Sequence, residues 1–250
     1  MSTKHFTKIM GDEKMIAYHG KQEIKDQYLA RVKAHREADE IVKGTYWEGG
    51  KGCAVGCTIH GSSHAQYEVE LGIPRILARL EDGIFESIPN ELAMTWPERF
   101  LDAIKPGADL SLVWPKFAVW MLIDSQWGVL QFAKIQRAKE AIERVADLYS
   151  KQIEGVNLPV EVWRDAAADA YAADAYAADA AAAAAAAAYA AAAAAAYAAA
   201  AAADAAYAAD DAAYAATAAA AYAADAADAR RTWRIAQSEK LLELLRGEGK

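Results

Sequence analysis

The sequence predicts an all-α protein, a compact helical bundle followed by a long alanine-rich helix or a folded-back helical hairpin. Apolar residues recur at spacings of three and four in several segments before residue 150. Residues 160–246 contain neither Gly nor Pro and are dominated by alanine, the strongest helix former. No hairpin dipeptide or alternating strand pattern stands out. The chain divides into a helical bundle domain over 1–157 with a Cys/His cluster, a helical arm over 158–246 that is docked or oligomerising, and a tail over 247–250 expected to be disordered.

The first helix is expected over 21–43, stopping at Gly44, with an inward stripe of Ile24, Tyr28, Val32, His35, Asp39 and Val42. His35 and Asp39 take positions where apolar residues are expected. Burying either group unpaired is costly, so they satisfy each other or the backbone, or they belong to a site. Thr45 to Gly52 reads as a loop; its GGKG lacks the preceding strand and the Lys-Ser/Thr spacing of a phosphate-binding loop.

The loop leads into KGCAVGCTIHGSSH, residues 51–64, which holds both cysteines and two of the five histidines. Cys53, Cys57, His60 and His64 fall on one face of a continuous helix. The first and last would then lie about 16 Å apart, too far to share an ion. Ser63 and Gln66 fit a capping box, so one helix is expected to end near His60 and a second to run from His64 to Gly72. Such a corner would fold His64 back towards Cys57 and His60. Zinc is the ion that suits two Cys and two His in a reducing compartment, although the spacer usual between ligand pairs is absent. The alternatives are cysteines that pack as small hydrophobes and a reactive thiol at Cys57.

Pro74 opens a helix with Ile76, Leu77, Leu80, Ile84 and Phe85 apolar and Glu81 beside the stripe, either snorkelling at its edge or facing inward as a site carboxylate. Thr95-Trp96-Pro97-Glu98 suggests a further capping box before a helix reaching Ile104. Pro115 begins the most apolar helix, and Ile135 to Tyr149 carries the last periodic stripe of this half. Gly155 to Pro159 reads as a linker.

A single helix over 160–246 would be about 130 Å long. Tyr171, Tyr189, Tyr207 and Tyr214 fall within about 20° of one line on it, an aromatic ridge suited to docking on the bundle or on a second copy. The closing LLELLR is expected to clip this end onto the bundle or a partner.

Of the net charge of −8, residues 161–229 carry −9, from ten acids and one Arg, leaving the remainder near +1. That distribution argues against nucleic acid and anionic membrane as partners. Phe117 to Ile123 is too short to span a bilayer, no export signal is visible, and two cysteines fit a cytoplasmic setting. KGCAVGCTIH, ELGIP at 70–74, LARLED at 77–82 and the tail SEKLLELLR together resemble an uncharacterised group of bacterial and phage-borne proteins over nearly the whole chain. The resemblance implies a prokaryotic cytoplasmic setting and no particular chemistry.

Two functions follow as expectations. One is an interaction or sequestering protein with a small Cys/His centre, binding a protein partner or itself through the acidic Tyr-ridged arm. The other is a metal- or thiol-dependent hydrolase or transferase acting on a small polar substrate. It would use His35, Asp39, Cys57 and His60, with Glu81 as a further acid.

Overall fold

The computed structural model describes residues 15–133, 135–175 and 227–247. They form an all-α fold with one two-stranded hairpin. The elements that position the candidate site come first in the chain: α1 (Gln22–Glu37), β1 (Trp47–Glu48), β2 (Lys51–Gly52), α2 (Ala54–Ile59) and α3 (Arg75–Ser87). Behind them lie α4 (Asn90–Ala93), α5 (Trp96–Ala103), α6 (Val113–Ile123), α7 (Gln136–Ile153), α8 (Val160–Ala175) and α9 (Ala227–Leu245).

The first helix ends six residues earlier than its periodicity suggests. Asp39 takes a left-handed conformation at φ 56°, and Ile41 pairs with Gly52 as an extended bridge. Two consecutive β-branched residues, Ile41 and Val42, favour that extended backbone, and Val42 N–H donates to the Gly52 carbonyl at 2.8 Å. Asp39 is therefore exposed at the break, and its place on an inward helical stripe is corrected.

The hairpin is also a departure from expectation. Gly49 and Gly50 both adopt positive φ, 58° and 86°, and close a two-residue turn between β1 and β2. The turn returns the chain under the Tyr46 carbonyl, which lies so close to α2 that a Cβ built on Gly52 or Gly56 would overlap its oxygen. Those two glycines let the loop and α2 pack backbone to backbone.

Helix α2 is six residues long and entirely buried. Its N-terminus is capped by the Cys53 sulfur, which accepts from Gly56 N–H at 3.5 Å, and its C-terminus by His60 in the left-handed region. The chain then turns, as expected. Neither Ser63 nor Thr95 forms its capping box: Ser63 gives only a backbone turn to Gln66, and the Thr95 hydroxyl donates back to the Leu92 carbonyl at 3.2 Å. A π-helical turn over Tyr67–Leu71 ends at Gly72, whose positive φ suits glycine.

The core is aromatic and aliphatic, centred on Trp96, Tyr18, Tyr67, Phe85, Phe100, Phe117 and Tyr149, all fully buried. Both described ends of the alanine-rich half pack on it. Trp163 of α8 lies 4.9 Å from Tyr149 of α7, and Leu241, Leu242, Leu244 and Leu245 of α9 are buried against the bundle. The amphipathic clip holds, reinforced by Arg99 of α5 donating to Glu239 at 2.6 Å. The folded-back course of the tract and its tyrosine ridge fall mainly on 176–226, outside the described residues, as does most of the tail.

Candidate functional site

The chain reversal at 38–52 brings the end of α1, the β-hairpin and the end of α2 to one place. The His35 and His60 rings meet there, Nε2 to Nε2 at 2.8 Å. On its other nitrogen, Nδ1, His35 faces the Glu40 carboxylate at 2.6 Å. His60 stacks on the Trp47 indole at 4.5 Å and 16°, and His35 meets the same indole edge-on at 5.4 Å. The His35 side chain is 12% exposed, whereas His60 stands at the surface.

A histidine at φ 52° in a left-handed helix cap is uncommon, because most non-glycine residues avoid that region. The conformation turns the ring off the α2 axis and onto Trp47 and His35. Desolvation of the ring, then the positive charge of Arg31 and the proximity of His35, hold the His60 pKa below that of free histidine. Arg31 itself lies 4.6 Å over the Tyr28 ring and donates to the Thr58 carbonyl at 2.7 Å. The Tyr28 hydroxyl in turn bonds Glu70. His60 is thus neutral at neutral pH and beside a fixed cation.

A second polar cluster surrounds the start of α2. Among the described residues, Cys53, Asp82 and Glu86 form the only group of three or more metal-type donors whose ligand atoms lie within 4.8 Å of one another. His64 reaches the Asp82 carboxylate at 3.4 Å and packs edge-on against Tyr46 at 5.6 Å. Glu86 holds the Gly44 N–H between its two oxygens at 3.0 and 3.1 Å.

The expected residues are therefore redistributed. The four-ligand set Cys53, Cys57, His60 and His64 does not converge, because the chain turns after α2 so that His60 faces α1 while His64 faces α3. The catalytic set Cys57, His35, Asp39 and Glu81 does not form either. The Cys57 thiol is buried, points at the carbonyls of Gly52 (3.3 Å) and Glu40 (3.8 Å), and is pushed up by burial to about 12, which removes it as a nucleophile. Asp39 is exposed at the helix break. Glu81 does face inward, but it is fully buried against Tyr67, whose hydroxyl donates to it at 2.6 Å.

His35 with His60 is the pair that the structure does bring together. Glu40, Trp47, Asp82 and Glu86 were missed. Asp82 and Glu86 are spaced i, i+4 on α3, a signal for one helix face. Glu40 lies in the stretch misread as helix, and no periodicity marks it.

A separate cavity of about 510 Å³ is lined by Pro74, Leu110, Trp114, Tyr149 and Trp163 among others, with the Trp114 indole donating to the Tyr149 hydroxyl at 2.8 Å. No helix among the described residues is long and apolar enough to cross a membrane. No family model, curated protein or solved structure matches the chain.

Proposed function

We propose that this protein is an acid–base enzyme whose proton-transfer chain is Glu40–His35–His60, acting on a small polar substrate that Arg31 helps to hold. The observation that carries the reading is the linear arrangement of carboxylate, imidazole and imidazole at 2.6 and 2.8 Å.

The direction of the chain follows from donor counting. A carboxylate only accepts, so it fixes the His35 proton on Nδ1 and leaves the Nε2 lone pair free. His60 must then donate from its own Nε2, and its Nδ1 carries the lone pair that takes a proton from substrate. A proton taken up at His60 Nδ1 is matched by transfer of the Nε2 proton to His35, which becomes an imidazolium against Glu40. The carboxylate orients the ring and stabilises that imidazolium, the role a carboxylate plays in a hydrolytic triad. The lowered His60 pKa keeps the base unprotonated at neutral pH. Arg31 supplies positive charge beside the place where negative charge would develop.

The test uses p-nitrophenyl acetate as a probe of base-assisted hydrolysis. The expected pH–rate profile rises through an inflection below 6.5 and loses it in His60→Gln, with a rate loss of about 100-fold, the range typical of removing a general base. Glu40→Gln is expected to lower the rate with the fold intact. A wild-type profile retained in His60→Gln would overturn the proposal.

The arm-mediated interaction reading has no support of this kind, since the ridge lies outside the described residues. It predicts that truncation changes oligomeric state, which light scattering would report.

A further inference from the structure

The cluster at the start of α2 has no part in the histidine chain, and its chemistry is of a different kind. We infer that Cys53, Asp82 and Glu86, with His64 as the fourth donor, form a zinc site that ties α2 to α3 and to the turn between them.

The first observation is the donor set. A thiol, two carboxylates and an imidazole combine soft and hard ligands in the way borderline-soft zinc accepts, whereas calcium and magnesium take oxygen donors. Cys53 at the start of α2 and the Asp82–Glu86 pair one turn apart on α3 place their ligand atoms within 4.8 Å of one another. His64 Nε2 lies 3.4 Å from Asp82 Oδ2.

The second observation is an unmet electrostatic demand. Asp82 Oδ1 is inaccessible to solvent and has no hydrogen-bond partner, in a side chain 13% exposed. The Cys53 residue is 1% exposed. Among the described residues neither Asp82 nor Glu86 forms an ion pair with Lys or Arg. Asp82 and Glu86 repel one another, the Lys43 charge near Glu86 offsets this only in part, and a divalent ion reverses the sign of each interaction. The Cys53 sulfur also caps α2, accepting from Gly56 N–H at 3.5 Å.

Binding at this site is a proton exchange. The Cys53 S–H bond breaks, the proton leaves to solvent and a zinc–sulfur bond forms, so about one proton is released per ion from the thiol at neutral pH. With three or four protein donors, the ion holds the short, marginal helix α2 against α3. This acts as a structural tie and is independent of the proton-transfer reading.

The full chain, stripped with EDTA and titrated with Co²⁺, provides the test. The expected result is one Co²⁺ per chain with a near-ultraviolet thiolate-to-cobalt band, displaced by Zn²⁺. Cys53→Ser is expected to abolish the band, and Asp82→Asn and Glu86→Gln each to weaken Co²⁺ binding about tenfold or more. Cys57→Ser is expected to keep both band and affinity. Absence of stoichiometric binding, or a band that survives Cys53→Ser and disappears in Cys57→Ser, would overturn the assignment. Should Cys53→Ser not fold, the exposed Glu86→Gln decides the matter: unchanged Co²⁺ affinity in that variant contradicts the site.

Discussion

Replacing Glu81 by Gln is expected to remove most of the protein's loss of stability between mildly acidic and mildly alkaline pH. Glu81 is 0% exposed, its Oε2 accepts from Tyr67 at 2.6 Å, and its Oε1 is buried with no partner. Burial raises its pKa well above the ordinary carboxylate value, the Tyr67 hydrogen bond opposes that rise, and the charge of Asp82 adds to it. In the unfolded chain the same group titrates near 4.3. The folded state therefore holds a proton that the unfolded state has released throughout the interval between those two values. Stability from this group is fully present below about pH 4.3 and is lost as pH rises through the folded value. Within the interval the loss is up to about 1.4 kcal/mol per pH unit. Gln keeps the shape, carries no charge and does not titrate. Urea denaturation followed by tryptophan fluorescence at pH 5, 6, 7 and 8 measures the difference. The Gln variant is expected to gain on the wild type at each step upward in pH within the interval. Parallel stability curves across that range would show that Glu81 does not hold a proton in the folded state above its unfolded pKa.

Other substitutions probe the same architecture. Gly56→Ala drives a Cβ into the Tyr46 carbonyl oxygen, so a loss of about 3 kcal/mol or more, or failure to fold, is expected by thermal denaturation. Cys57 is expected to resist a disulfide exchange reagent at pH 7.5 in the folded protein and to react once unfolded in urea, because its thiol is buried and pushed up to about 12. Tyr67→Phe removes the hydroxyl that donates to Glu81 Oε2 and is expected to cost about 1–3 kcal/mol in chemical denaturation. Trp47→Ala uncovers one face of His60, so the His60 pKa should rise towards the free histidine value in an NMR titration.

How much of this could be seen in the sequence depends on the range of the interaction. Apolar periodicity placed α3, α5, α6 and α7, because each buries one stripe in a common core. It failed at Ala38 to Val42, where the stripe continues numerically through Asp39 but the backbone leaves the helix. It also passed over the hairpin, since two-residue strands are too short to alternate; the Gly49-Gly50 pair was the available signal. At the site, inward-facing histidine on α1 and a chain corner after His60 were both legible, and these produce the His35–His60 contact. Glu40 was not, because its position depends on how the break after α1 is cut. The pairing of Cys53 with Asp82 and Glu86 depends on α2 docking against α3, which no local pattern specifies.

In the proposed chain Glu40 fixes the ring tautomers so that protons move from His60 towards His35. Long-range ¹⁵N–¹H NMR of the histidine rings at neutral pH tests it most directly. The expected result is a proton on His35 Nδ1, a proton on His60 Nε2 and a bare His60 Nδ1, with the His60 tautomer bias lost in Glu40→Gln. A protonated His60 Nδ1 in the wild type, or tautomers unchanged by Glu40→Gln, would contradict it.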